Sequence, residues 1–194
     1  MKKVSFLTVA ALTTVFFAFK PIETTNWTAD SVHSRVGFSV VHLGISNLSG
    51  SFNSYEAKLT TNNPDFSDAV VEFSGDATSI NTNNEMRDKH LKSPDFFDAE
   101  KFPKFNFKST SFKKSGKDEY AVKGQLTLHG VTKDITLLAK HNGTATNPQS
   151  QKQINGFHIT GSFKRSDFGV GASIPAMMVS DEVNMVTDLE LVKN

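Results

Sequence analysis

Thr82-Asn83-Asn84-Glu85-Met86-Arg87-Asp88-Lys89-His90-Leu91-Lys92-Ser93-Pro94-Asp95-Phe96-Phe97-Asp98-Ala99-Glu100-Lys101-Phe102-Pro103 is the one stretch after residue 20 that reads as neither strand nor turn. Thr82 with Glu85 three residues later has the form of a capping box, and Ser93-Pro94 supplies a stop, so the pattern predicts one short helix over about 83–93. On a helical projection Met86, Arg87, His90, Leu91 and Pro94 share a stripe. Glu85 with Lys89 and Asp88 with Lys92 form i,i+4 pairs on the opposite face. Arg87 and His90 therefore stand among apolar neighbours. A half-buried guanidinium requires an anionic partner, and Asp95-Phe96-Phe97-Asp98 follows at once. A salt bridge that anchors the loop, to Asp98 or Asp167, and a site for a ligand head group satisfy the same electrostatics, and the sequence leaves both open.

Outward from this stretch the chain alternates. Val36, Phe38, Val40 and His42 share one parity, and a turn at Gly44 and Asn47 leads to a second strand over about 48–59, whose parity change between Phe52 and Tyr55 reads as a bulge. Asn62-Asn63-Pro64-Asp65 is turn chemistry, and Ala69, Val71, Phe73, Gly75 and Ala77 form the apolar side of the strand that delivers the chain to the helix. Beyond Pro103 the rhythm resumes with Phe105 and Phe107, a hairpin over 118–141 broken at Gly130, a strand carrying Phe157, Ile159, Gly161 and Phe163, and a last one with Val183, Met185, Leu189 and Leu191. The pattern predicts an all-β domain of about eight antiparallel strands. Closure into a barrel removes exposed edges and is favoured over a two-sheet sandwich. Small residues at inward positions, Gly75, Ala77, Gly124, Ala139 and Gly161, argue for room inside. The same residues would also accommodate phenyl rings packed across the axis, and pattern alone does not separate a hollow barrel from a filled one.

The 194 residues suffice for one domain with a core. Met1-Lys2-Lys3 followed by apolar Val4 to Phe19 predicts a secretory signal peptide over 1–20, leaving a domain over 21–194; Phe16-Phe17-Ala18 is not a clean small-x-small cleavage site, and retention as an uncleaved anchor is the alternative. There is no cysteine, which removes disulfides and thiolate metal sites. Beyond residue 20 the chain holds 18 basic and 20 acidic residues with no basic stripe, so nucleic acid is not an expected partner. The six histidines show no short metal-ligand spacing, and no metal is expected. His90 with Asp95 or Asp98 is the available acid-base pair, and Ser34 beside His33 is the available start of a triad. Neither comes with a nucleophile elbow or an oxyanion signature, and no catalytic residue is assigned. Arg165 and Asp167 form a further opposite-charge pair at a strand end.

Several of these residues together resemble a known family. Trp27, Asp30, His33-Ser34, Phe38 and His42, Gly50 with Phe52, Arg87-Asp88, His90-Leu91, Ser93, Asp95-Phe96-Phe97-Asp98 and Phe102-Pro103 stand in its order. So do Gly124-Gln125-Leu126-Thr127-Leu128-His129-Gly130-Val131-Thr132 and Arg165, Asp167, Phe168 and Gly169. Over about residues 26–193 the chain is similar to the YceI-like family of periplasmic lipid-binding proteins. It departs from that family at Asp134, commonly proline, and at Phe102, frequently tyrosine. The resemblance implies a lipocalin-like antiparallel barrel, periplasmic or secreted, whose apolar interior holds a polyisoprenoid or other long-chain amphiphile. No further cofactor is implied. Homodimerisation and transient membrane contact are among the family's expected associations. On this reading Val36, Phe38, Val40, Phe73, Phe96, Phe97, Leu126 and Phe157 contact the ligand chain, with His42, Arg87, His90 and Arg165 at the mouth. The alternative is a hydrolase or isomerase acting on a lipid through His90 and a nearby carboxylate.

Overall fold

The computed structural model describes residues 23–194. The predicted signal peptide lies outside the described residues. Eleven strands and one helix follow in chain order: β1 Thr25–Ala29, β2 Arg35–His42, β3 Ser46–Phe52, β4 Tyr55–Thr61, β5 Val70–Asp76, β6 Ile80–Asn81, α1 Glu85–Lys92, β7 Lys104–Gly116, β8 Glu119–Leu128, β9 Val131–Thr146, β10 Gln153–Lys164 and β11 Glu182–Lys193.

Eight of the strands close a ring in the order β1, β4, β5, β7, β8, β9, β10, β11 and back to β1, with every pairing antiparallel. The ring is the predicted barrel, not a sandwich. The predicted hairpin is β8 and β9, in register from Leu128↔Val131 outward. β11 is long enough to serve two partners: its second half meets β1 at Leu191 to Lys193, and its first half meets β2 at Asn184 to Asp188. β2, β3 and β6 thus extend the wall at one end of the barrel. The strand expected over 48–59 is two strands, and the parity change is a break instead of a bulge. At that break Asn53 and Ser54 donate their backbone N–H groups to the carbonyl and hydroxyl of Ser79.

Alternation places Phe105, Phe107, Tyr120, Val122, Leu126, Phe157, Leu189 and Leu191 inside, all buried. One half of the interior is solid. The β4–β5 loop folds beneath the barrel, held by Asp68, which accepts from Thr61 Oγ1 and from the backbone N–H groups of Asn62 and Asn63. Tyr120 also donates its hydroxyl to the Asp65 carbonyl at 2.7 Å. This drives Phe66 against Phe157 (5.4 Å, edge-on), His141 (5.2 Å) and Trp27 (6.2 Å). Only about 40 Å³ of space is left among Leu59, Val122, Phe157 and Leu191.

The inward glycines do not supply room; of the two readings their size allowed, they follow the one in which they accommodate large side chains. A Cβ at Gly75 would overlap the Phe105 ring, one at Gly124 the Phe107 ring, and one at Gly161 the Leu137 side chain. These glycines receive large neighbours from the adjacent strand.

Candidate functional site

The other half of the barrel is hollow. Moving along each long strand from the solid end, Phe112 gives way to Phe105, Val122 to Leu126 and Leu128, Phe157 to Phe163, and Leu189 to Met185 and Val183. These second members line a cavity of about 460 Å³. Val36, Phe38, Val40 and His42 of β2 form one wall, and Phe52, Phe96 and Phe97 another. Val170, Ile174, Met178 and Val179, in the segment between β10 and β11, form the roof. The volume lies within the range of about 300–1,000 Å³ usual for small-molecule sites. The lining is almost entirely apolar; its polar members are Ser49, Thr82, His42, His90, Arg87 and Arg165, and among the described residues no carboxylate borders the space.

The two arginines are held differently. Arg165 is buried, 5% exposed, at the end of β10. Its Nε donates to the Ser180 carbonyl, its Nη1 to those of Val170 and Gly171, and its Nη2 to those of Ile174 and Val179. All five guanidinium N–H groups are satisfied by the roof segment, which the side chain folds around itself. The sequence-predicted pairing of Arg165 with Asp167 does not form. Asp167 is exposed, and the carboxylate that feels the Arg165 charge is Asp181. Hydrogen bonds from the hydroxyl and N–H of Ser166, and secondarily this charge, hold the Asp181 carboxyl below the usual carboxylate range.

Arg87 is presented by α1. The helix begins on Asn84, whose side chain accepts from the Arg87 N–H at 2.9 Å, so the Thr82–Glu85 capping box does not form. Thr82 serves the side chains instead. Its hydroxyl donates to Asp88 Oδ1 and accepts from Arg87 Nε at 2.7 Å, and its carbonyl accepts from Arg87 Nη2 at 2.7 Å. Asp88 is thereby drawn away from the predicted pair with Lys92, and among the described residues no carboxylate lies within ion-pair distance of Arg87, neither Asp98 nor Asp167. His90, one turn on, meets Asp95 Oδ2 at 3.2 Å and stands edge-on to Phe96 at 5.0 Å. Met86, expected on the same stripe, is 86% exposed, because only Arg87, His90 and Leu91 of the helix turn toward the cavity.

Residues 27–191 match the profile of the YceI-like domain. The chain belongs to the YceI-like family. Protein YceI of Escherichia coli O157:H7 is 39% identical over 159 residues, 81% of this chain and 81% of that protein. The crystal structure of the Campylobacter jejuni YceI protein superposes with a TM-score of 0.73 at 34% identity, covering 85% of this chain and 96% of that one. At 14% identity, a polyisoprenoid-binding domain from Saccharophagus degradans shares the fold, with a TM-score of 0.62 and coverage of 87% and 98%.

Placed on this YceI-like barrel, ten of the predicted site residues border the one hollow: Val36, Phe38, Val40, His42, Arg87, His90, Phe96, Phe97, Leu126 and Arg165. Two do not. Phe157 lies in the solid half among Phe66 and His141, and Phe73 stacks on Tyr55 at 6.1 Å and leans on Phe105 at 5.5 Å. Both face inward, but alternation reports the face of the sheet and not the height along the barrel axis. The roof residues Ile174, Met178 and Val179 were missed, since an irregular segment carries no period. Their signal was the apolar run Ile174-Pro175-Ala176-Met177-Met178-Val179 after a buried arginine.

The YceI-like motif residues away from the cavity have structural duties. Asp30 Oδ2 bonds His33 Nδ1 at 2.8 Å, with Glu190 of β11 4.0 Å from the same nitrogen, while Ser34 accepts from the Glu190 N–H. Ser34 is thereby engaged with β11, and the considered His33–Ser34 triad is not assembled. Asp30, His33 and Glu190 also bring an imidazole and two carboxylates within 4.8 Å of one another, with the near imidazole nitrogen already bonded to Asp30. The His129-Gly130 turn, both residues at positive φ, seats Phe102 against His129 at 4.7 Å, and His129 Nδ1 bonds the Phe168 carbonyl.

Proposed function

We propose that the protein binds a polyisoprenoid or another long-chain amphiphile in the hollow half of its barrel, for carriage, storage or sequestration in the periplasm. The apolar cavity of about 460 Å³, with Thr82, Arg87 and His90 among its few polar lining residues, carries this reading. Each buried methylene gains about 0.8 kcal/mol, so fifteen to twenty carbons, as a rough count, exceed the low and middle estimates of an association cost of about 4–15 kcal/mol. Membership of the YceI-like family and the shared fold of a domain named for polyisoprenoid binding point the same way. The predicted leader at residues 1–20 supports export, for which N-terminal sequencing of the exported protein should begin between Lys20 and Asn26; an intact Met1 in a membrane fraction would replace cleavage with an anchor. Exposed apolar side chains beside the roof, Leu43, Ile45, Met177 and Met178, fit transient contact with a membrane from which the ligand is drawn.

Binding is favoured over lipid hydrolysis at His90. The His90–Asp95 pair is solvent-exposed, and the hydroxyls of Thr82 and Ser93 in the same stretch already donate to Asp88 and to the His90 carbonyl. Extraction of the purified protein and mass spectrometry test the proposal. An intact co-purifying lipid is expected; an empty protein that turns over long-chain esters would replace carriage by catalysis.

A further inference from the structure

The cavity wall has a charge that the protein itself does not balance. Two guanidiniums and two imidazoles border the space, and among the described residues no aspartate, glutamate or lysine does. Arg165 is accounted for, with all of its donors on roof carbonyls. Arg87 is not. Its inner edge, Nε with one N–H of Nη2, is fixed on the hydroxyl and carbonyl of Thr82, which is itself buried. Nη1 and the second N–H of Nη2 have no protein partner among the described hydrogen bonds, on a half-buried side chain that faces the hollow. The nearest linked carboxylate, Asp88, is reached only through the Thr82 hydroxyl.

We infer that the cavity selects amphiphiles whose head group is an anion with at least two oxygens, a carboxylate or a phosphate, seated on the outer edge of Arg87. This rests on the proposed carriage of a long-chain amphiphile. Two parallel N–H donors at the outer edge match the spacing of such oxygens, the arrangement that makes arginine the preferred partner of carboxylates and phosphates. Thr82 fixes the plane of the fork before the ligand arrives, so little side-chain entropy is lost on binding. The mostly apolar lining beside it lowers the local dielectric below that of bulk water and strengthens the attraction. A neutral alcohol in the same place would leave part of the charged fork unmatched, and the apolar chain would bind with no preference for that end.

Hexadecanoic acid, hexadecyl phosphate and hexadecan-1-ol, which share one chain, test the assignment by calorimetry at neutral pH on the wild type, Arg87→Met and Arg87→Lys. Wild type should bind the acid, the phosphate or both about 10- to 100-fold tighter than the alcohol, and the ratio of the two anions tells which source the site suits. Arg87→Met also removes both donors from buried Thr82 and should lower the melting temperature, but it should abolish the preference by weakening the anions at least tenfold more than the alcohol; Arg87→Lys, which keeps the charge without the fork, should retain part of it. Equal affinity of wild type for acid and alcohol overturns the inference and leaves carriage standing. A preference that survives in Arg87→Met overturns the role of Arg87. Equal losses for acid and alcohol in Arg87→Met make the residue structural and overturn it too. Binding of none of the three overturns carriage and this inference together. The comparison within wild type decides the matter even if Arg87→Met fails to fold.

Discussion

Four long strands, β7, β8, β10 and β11, run with one alternation through both halves of this barrel, yet the half that β4, β5 and β9 complete is filled and the half that β2 and β3 complete is empty. In the solid half a loop supplies the filling: Asp68 and Tyr120 pull the β4–β5 connection under the barrel, so that Phe66 completes a cluster with Trp27, His141 and Phe157. In the hollow half the covering segments, α1 and the stretch after β10, are tied to side chains at the rim, Thr82 and Arg165, and stop short of the axis. What separates a core from a cavity here is therefore where the connections are anchored. The inward glycines Gly75, Gly124 and Gly161 have little to do with it, since Phe105, Phe107 and Leu137 occupy the space beside them.

The sharpest way to break this contrast is truncation in the solid half. Phe157 is 3% exposed and walled by rings, so Phe157→Ala should cost about 3–5 kcal/mol in urea denaturation. A loss below about 1 kcal/mol would mean that this half is loosely filled as well. Next in size is Arg165→Met, which leaves roof carbonyls without a donor. About 3 kcal/mol is expected, with faster hydrogen exchange confined to residues 170–180 if the roof is a separate cooperative piece.

Adding atoms sharpens the comparison in the other direction. Gly124→Ala pushes a methyl into the Phe107 ring and the Lys108 carbonyl, and should destabilise by about 1–3 kcal/mol. Val40→Phe adds far more volume, but into the hollow. Its stability should change by less than about 1 kcal/mol, while uptake of a long-chain fatty acid falls about tenfold or more. Unfolding of Val40→Phe, or uptake equal to wild type, would remove the cavity from the account.

The smallest effect concerns the corner between β1 and β2. The Asp30 carboxylate, by hydrogen bond and then by charge, holds the His33 pKa above its ordinary value, and the His33 hydrogen bond holds that of Asp30 below. The raised histidine contributes stability that is full below about pH 6.5 and is lost as pH rises through its folded value. The depressed aspartate contributes stability present above about pH 3.9 and lost as pH falls through its folded value. Melting temperatures should therefore show a slight decline between weakly acidic and weakly alkaline pH that His33→Gln lacks. An identical slope in the variant would assign the decline elsewhere.

Strands, barrel and helix were legible because each announces itself by period: two for β2, β5 and β8, 3.6 for α1. Which residue capped the helix was not. Thr82 and Asn84 both have capping side chains, and the choice fell to Asn84 because the Thr82 hydroxyl is engaged by Asp88 and Arg87. Parity likewise placed Phe38, Phe157 and Leu126 inside, but could not say that Phe157 would sit in the filled half. The partners of Arg165 were hidden for another reason. Backbone carbonyls have no sequence identity, so a guanidinium satisfied by five of them looks, in the sequence, like a cation awaiting an aspartate.

The filled half beneath the hollow forms its floor, and under the proposed carriage this floor imposes an order on traffic. On that proposal a chain enters tail first and leaves head first, and a head group seated on Arg87 would act as the latch. Exit then slows by about fourfold for each methylene withdrawn from cover, until the tail is long enough to touch the floor. Dwell time becomes a ruler for the tail, with a ceiling set by the depth of the empty half, and the floor fixes how long a molecule can still be gripped whole.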